Sequence, residues 1–295
     1  MEILSHISTA AMAMAVLCGT LAALLALAYR WLQVEEDPRL EAICELLPQA
    51  NCGGCGVPGC QQFAHALLAG QIAPAACNTA PADALARIAA LLGTPVGTRV
   101  RRVARLACAG GQHVARQRAH YQGLPGCRAA QMVSGGAKAC SWGCLGLGDC
   151  TLRCRFDAIH LDTHGLPVID PDRCTACGDC VDACPRALIS LEPLENRLWV
   201  ACRNRQPGPD ARDACAVTCT ACGRCVADAA PGLIRLEDGL AVIAGDARQA
   251  SRQATARCPT GAIVWLSTPA TAERGPAAGP VRRREALPVS PAHTP

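Results

Sequence analysis

Aromatic side chains are scarce in this chain, with two Phe, two Tyr and four Trp making 3% of 295 residues. A globular fold of this size normally relies on aromatic and long aliphatic packing, so one large apolar core is excluded and two or three small domains are expected. Lysine is nearly missing too, Lys138 being the only one. The net charge of +4 is too small to argue for nucleic acid, and no nucleic-acid partner is expected. Positive charge resides on arginine, including a group at Arg99, Arg101, Arg102 and Arg105 that suits lipid headgroups, an acidic protein partner or plain solvent. Cysteine, by contrast, is abundant at 22 residues, and it must do what a large core would otherwise do. Disulfides, zinc and iron-sulfur ligation are the three readings of such a count.

The amino-terminal segment chooses among them. From Ile7 to Ala28 there is no charged residue, which is long enough to cross a bilayer as a helix, and Arg30 and Trp31 follow as an interfacial anchor would. A secretory signal is the rival, since Ala26-Leu27-Ala28 resembles a cleavage site, but the segment before the apolar run carries Glu2 and no Lys or Arg. Arg30, the one charge that bears on orientation, points to the cytoplasm for the rest of the chain. The expected location is therefore the inner (cytoplasmic) membrane, single-pass, with membrane lipid as a partner. Cytoplasmic thiols are kept reduced, so metal ligation becomes the leading use of the cysteines.

The sharpest spacing is Cys174-x2-Cys177-x2-Cys180-x3-Cys184-Pro185, the run of bacterial two-cluster ferredoxins, in which three thiolates hold one cubane and the fourth serves its neighbour. Structural zinc sites use separated CxxC knuckles instead. Upstream lies a stretched counterpart, Cys140-x3-Cys144-x5-Cys150-x3-Cys154, with Arg155 where proline is expected. Crossed ligation then groups Cys140, Cys144 and Cys150 with Cys184, and Cys174, Cys177 and Cys180 with Cys154. The glycines around Cys144 do not form GxGxxG and read as turns of a cluster loop.

A third run is broken. Cys219, Cys222 and Cys225 open another ferredoxin motif, but Ala229, Arg248, Ser251 and Ala254 stand where four further cysteines belong, and only Cys258 remains downstream. The four losses together are the ligand set of one whole cluster, so one cluster on Cys219, Cys222, Cys225 and Cys258 is expected. Near the anchor, Cys52, Cys55, Cys60 and Cys77, spaced by glycines, suit one more [4Fe-4S] cluster, with zinc the bland alternative. Cys44 reads as a core thiol of a helix. Cys108, Cys127, Cys202 and Cys215 flank the ferredoxin regions, and a fifth cluster stays open for them. His113, His160 and His164 read as loop or solvent residues.

Taken in order, the anchor, "NCGGCGVPGC" at 51–60, "ACAGG" at 107–111, "YQGLPGCRAA" at 121–130, "GGAKACSWGCLGLGDC" at 135–150 and the CxxCxxCxxxCP run resemble the B subunit of the Rnf electron transport complex, in its long form with a second, degenerate ferredoxin module. The resemblance covers roughly 5–266. It implies a membrane-bound [4Fe-4S] component of an ion-translocating oxidoreductase (a translocase), relaying electrons between soluble ferredoxin and partner membrane and flavin subunits. The residues themselves show no nicotinamide or flavin fingerprint and no charge inside the apolar segment, so hydride chemistry and any ion path belong to partners. No residue is expected to act as acid, base or nucleophile. A polyferredoxin subunit of another membrane oxidoreductase, or of a complex reducing a redox-sensing regulator, is the alternative, and an iron-sulfur redox sensor the second.

The expected fold class is α+β: a transmembrane anchor (1–32), a [4Fe-4S] domain (33–92), a connector (93–134), a two-cluster ferredoxin-type domain (135–195), a degenerate ferredoxin-type domain (196–267) and a disordered tail (268–295). About four clusters are expected, distributed one, two and one among the three cysteine-rich domains.

Overall fold

The protein is described by a computed structural model covering residues 2–32, 37–268, 271–281 and 283. Helix α1 (Glu2–Leu32) stands apart from the rest: the span Ala10–Leu32 has a mean hydropathy of 2.3, and none of it is covered by the remainder of the chain. At about 1.5 Å per residue that span matches a hydrocarbon core about 30 Å thick.

Next comes a small helical domain of α2 (Pro38–Leu46), α3 (Cys60–Leu68) and α4 (Ala82–Leu92). Asp37 starts α2 by accepting from the Arg39 amide at 2.9 Å, with Pro38 at the first helical position where its missing N–H costs nothing. One of the two phenylalanines, Phe63, sits at its centre with Ile43, Leu67, Leu85 and Ile88. Gly93, at φ 66°, ends α4 in the left-handed conformation.

The class is α+β, as expected, and the middle of the chain shows why. Short hairpins alternate with single-turn helices, α5 (Cys127–Met132), α6 (Asp149–Arg153) and α7 (Asp179–Ala183). Gly148 (φ 83°) and Gly178 (φ 94°) precede α6 and α7 in the same backbone conformation, which marks the two halves as copies of one design. Strand β2 (Ile159–Leu161) pairs with β3 (Pro167–Ile169), and β4 (Ile189–Pro193) pairs antiparallel with β1 (Arg102–Leu106) through the register Leu106↔Ile189. The stretch expected to be a connector at 93–134 is thus built into the module. Backbone pairing reaches back to it, and Ala104 and Leu106 of β1 pack against the thiol-bearing loops of Cys150, Cys154, Cys174 and Cys180.

The last module holds β5 (Leu198–Val200), α8 (Gly208–Ala214), α9 (Arg224–Asp228), the hairpin β6 (Ile234–Glu237) and β7 (Leu240–Ile243), and the strands β8 (Ile263–Thr268) and β9 (Thr271–Arg274), with sheet order β5-β8-β9. Trp199 Nε1 donates to the Leu106 carbonyl at 2.8 Å, tying the two modules together. The expected tail is shortened. β9 adds to the sheet, and Ala277 and Gly279 donate to the carbonyls of Ala256 and Pro259, so 271–279 belong to the fold. Residues 284–295 of that tail lie outside the described residues.

Candidate metal centres

Four cavities share one lining chemistry. Cys154, Cys174, Cys177 and Cys180 surround the first, Cys127, Cys144, Cys150 and Cys184 the second, Cys219, Cys222, Cys225 and Cys258 the third, and Cys108, Cys140, Cys202 and Cys215 the fourth. Near the anchor, Cys60 and Cys77 are buried in the helical domain's core with Cys55 packed against them, and the Cys55 thiol feels those of Cys77 and Cys52.

The loops that deliver these thiols are built the same way. Ala176 and Ala221, each in a Cys-Thr-Ala-Cys segment, take φ 58° and 52°, a left-handed conformation that alanine adopts at a cost of about 1–2 kcal/mol. The strain turns the backbone so that consecutive cysteines face one cavity. After each half of the two-cluster module an amide donates to the thiol four residues back, Ala158 to Cys154 at 3.3 Å and Leu188 to Cys184 at 3.4 Å. In the helical domain Asn51 Oδ1 accepts from the Cys60 amide at 2.9 Å and closes the loop that carries Cys52 and Cys55.

Electrostatics show what these thiols need. Burial pushes Cys144, Cys180 and Cys215 up to about 12 and Cys150 and Cys225 up to about 11. Neighbouring thiols add to the shift, and at Cys215 a backbone hydrogen bond with Val217 offsets part of it. Four thiolates together in an apolar cavity are not stable on their own, and an inserted cation-rich group is what makes them so. Among the described residues no three His, Cys, Asp or Glu side chains converge on a point as a single ion requires. Four thiols spread around a volume, without converging on one point, fit an iron-sulfur cubane.

The expected sets Cys154/174/177/180 and Cys219/222/225/258 each come together around one cavity, and the thiols near the anchor lie within one core. The set Cys140/144/150/184 does not form. Cys140 faces Cys108, Cys202 and Cys215, and Cys127 takes its place beside Cys144, Cys150 and Cys184. Asp149 makes this exchange: its carboxylate accepts from the amides of Cys127 and Arg128 at 2.8 and 2.9 Å and pins the start of α5 against α6. The spare cysteines therefore divide three and one instead of forming a set of four. The only sequence signal for this was their number, because their juxtaposition depends on pairing between distant segments.

Two of the four positions of the missing third-run cysteines, Ala229 and Ala254, join an apolar core, while Arg248 and Ser251 are exposed. Ala254 is fully buried and packs with Ala229, Ala250, Leu233, Ile234 and Leu240, while Arg248 turns outward onto Asp246. The arginine group of the expected connector is largely spent inside the molecule. Arg99 donates to Asn78 O, Arg101 to Pro171 O, and the buried Arg105 to Leu194 O. His113 and His164 stack on each other with ring centroids 3.7 Å apart, and no histidine lines any of the four thiol cavities.

Comparison with known proteins agrees with this chemistry. A family model for an Fe-S cluster matches 47–78, and the 4Fe-4S binding domain matches 167–190. The fold and the thiol sets together define a polyferredoxin carrying an apolar amino-terminal helix. The chain is 41% identical over 239 residues to the B subunit of the Na(+)-translocating ferredoxin:NAD(+) oxidoreductase complex of Acetobacterium woodii, covering 81% of this chain and 72% of that protein. It is 34% identical to the B subunit of the proton-translocating ferredoxin:NAD(+) oxidoreductase complex of Clostridium ljungdahlii, covering 78% and 82% of the two chains. Against the B subunit of the ion-translocating oxidoreductase complex of Methanosarcina acetivorans it is 32% identical over 81% and 91%. The chain belongs to this family, the Rnf-type B subunits, as an electron-transfer component of an oxidoreductase complex that is associated with the membrane.

Proposed function

We propose that this chain relays single electrons between soluble ferredoxin and the membrane and flavin subunits of an Rnf-type complex, whose ferredoxin/NAD redox chemistry drives ion translocation. The ligands are Cys52, Cys55, Cys60 and Cys77; Cys154, Cys174, Cys177 and Cys180; Cys127, Cys144, Cys150 and Cys184; and Cys219, Cys222, Cys225 and Cys258, each set for one [4Fe-4S] cluster. Helix α1 crosses the inner membrane once and leaves the thiol domains on the cytoplasmic side.

The observation that carries the reading is adjacency. Gly54, on the loop of the anchor-proximal set, lies so close to the Cys174 loop that a side chain there would meet the Thr175 carbonyl at 2.7 Å. Asn78, beside Cys77 of the same set, reaches the Cys174 loop as well by donating to Thr175 O at 3.1 Å. Cys180 packs in one core cluster with Cys150 of the next set, so these two sets share a wall. Thiol sets that touch in sequence form a wire, and the chain's work is to space, bury and hydrogen-bond its centres. No side chain acts as acid, base or nucleophile.

Cys222 is the one exposed thiol among these sets, and Arg224 beside it is exposed as well. An acidic carrier such as ferredoxin docks there, with charge complementarity setting the encounter rate. The test is anaerobic mixing of reduced ferredoxin with the iron-loaded full chain in detergent. Cluster bleaching at a rate that falls with salt, and falls further in Arg224→Glu, is expected. Zinc in place of iron, or no bleaching, would overturn the proposal.

A further inference from the structure

The two thiol cavities of the first ferredoxin module are twins in backbone and differ in charge. Gly148 and Gly178 open α6 and α7 in the same left-handed conformation, and Asp157 and Ala187 follow the last cysteine of each run at φ 49° and 48°. Ala158 and Leu188 then donate to the thiol four residues back. In this pairing the residue two beyond Cys154 is Phe156, and the residue two beyond Cys184 is Arg186. Phe156 lines the Cys154/174/177/180 cavity, and Arg186 lines the Cys127/144/150/184 cavity.

Arg186 is half-buried and spends its donors on neutral groups. Its Nε donates to Gln131 Oε1 at 2.8 Å, Nη1 to the Cys140 carbonyl at 2.9 Å and to that of Gly143, and Nη2 to that of Gly135. None of these partners carries a charge, so the guanidinium keeps its own at the cavity wall. Lys138 adds the same sign. It is 4% exposed, lies between this loop and the Cys108/140/202/215 cavity, and donates to the carbonyls of Cys144 and, at 2.6 Å, Gly110. The loop that carries Cys144 is therefore held by two cations.

The other groups at the two walls leave this difference standing. Each cavity has one carboxylate, at twin positions. Asp179 at the first pairs outward with Arg155 at 3.2 Å, whose exposed charge water screens, and Asp149 at the second accepts the Cys127 and Arg128 amides. Amide donation to sulfur favours the first cavity by one bond, from Ala104 N–H to Cys174 Sγ at 3.5 Å. A full charge beside a cavity shielded from water outweighs one neutral dipole, so the cations set the sign. A cation next to a redox site favours its reduced, more negative state.

We infer that Arg186 makes the Cys127/144/150/184 site the higher-potential member of the pair, so that the first electron to enter the module comes to rest there and the Cys154/174/177/180 site fills second. This rests on the proposed relay, with soluble ferredoxin as the external reductant. Within the module one electron moves: the Cys154/174/177/180 site is oxidised as the Cys127/144/150/184 site is reduced, and no bond or proton changes place. Arg186 ligates nothing and acts as a tuning residue. The module is then two unequal stations with a fixed order of filling.

The test is an EPR-monitored redox titration of the anaerobically iron-loaded full chain in detergent, with Cys150→Ala and Cys177→Ala assigning the two signals by their loss. In the unsubstituted chain the signal that Cys150→Ala removes is expected at the higher midpoint. Arg186→Met should keep the iron content and lower that midpoint more than any other. Arg186→Lys, which keeps the charge but not the fork of hydrogen bonds, should restore most of it. Lysine behaving like methionine would reduce Arg186 to a loop-holding role and overturn the inference, as would an unshifted midpoint in loaded Arg186→Met. The reverse order of midpoints in the unsubstituted chain overturns it too, whether or not Arg186→Met takes up iron. If Cys150→Ala and Cys177→Ala remove neither signal nor iron, the relay's ligand sets fail instead, a result distinct from a wrong order.

Discussion

The two ferredoxin modules answer the same structural problem differently. In the first, α6 and α7 each bring thiols to the interior, and two thiol cavities stand where a core would be, with Ala104, Ile159 and Ile189 as the modest apolar filling. In the last, one cavity is kept and the place of the other is taken by Ala229, Ala250 and Ala254 against Leu233 and Ile234. A thiol cavity in one module thus corresponds to a group of small apolar side chains in the other. The first module is thus expected to depend on its thiol cavities for folding more than the second does.

That contrast can be broken in graded steps. Cys180→Ala should have the largest effect. It removes a ligand of the set at the heart of the first module, and loss of about four iron atoms should be followed by protease sensitivity across 102–193, because metal binding there is folding energy. Cys222→Ala should lose as much iron while the second module stays protease-resistant. Equal proteolysis of both modules would erase the distinction. Ala254→Leu attacks the substitute core directly. Overpacking a fully buried alanine costs about 1–3 kcal/mol, read as a lower unfolding midpoint with the iron content unchanged.

A smaller, pH-dependent effect separates apo from loaded protein. In the metal-free chain the thiols of Cys144, Cys180 and Cys215 are held neutral by burial, up to about 12 against an ordinary 9.0. The unfolded chain then gives up protons first, so apo stability is intact below about pH 9 and falls as pH rises from there toward 12. Loaded protein, its thiols already deprotonated by iron, should show no such decline, and chemical denaturation at pH 8 and 10 would reveal the difference. The smallest effect is Ala221→Gly. Relief of a left-handed alanine should raise stability by about 1 kcal/mol or less, the gain being offset by the freer unfolded chain.

What the sequence disclosed and what it concealed divide along the same physical line. Cys174, Cys177 and Cys180 lie on one loop whose geometry is local, and so do Cys219, Cys222 and Cys225, so spacing alone was sufficient. The wholesale loss at Ala229, Arg248, Ser251 and Ala254 was legible in the spacing, and of these positions Ala254 is fully buried. The assignment of Cys140 failed because its stretched spacing hides a change of partner: Cys127 reaches Cys150 only through the Asp149 cap, and Cys202 and Cys215 reach Cys140 only once β1 has paired with β4 and Trp199 has reached Leu106. The connector looked like a linker because its arginines suggest solvent, yet Arg105 is 5% exposed and its carbonyl partners lie beyond residue 190.

Lys138 has one further consequence, of a practical kind. With the chain's single lysine sealed at a thiol cavity, its folded surface presents no ε-amine at all. Amine-directed crosslinkers and acylating reagents will pass over the folded domains of this protein in an assembled complex, and a map of its neighbours built on them would leave it falsely isolated. Carboxylate- or guanidinium-directed reagents, which its many surface arginines and aspartates accept, are the ones that will place it.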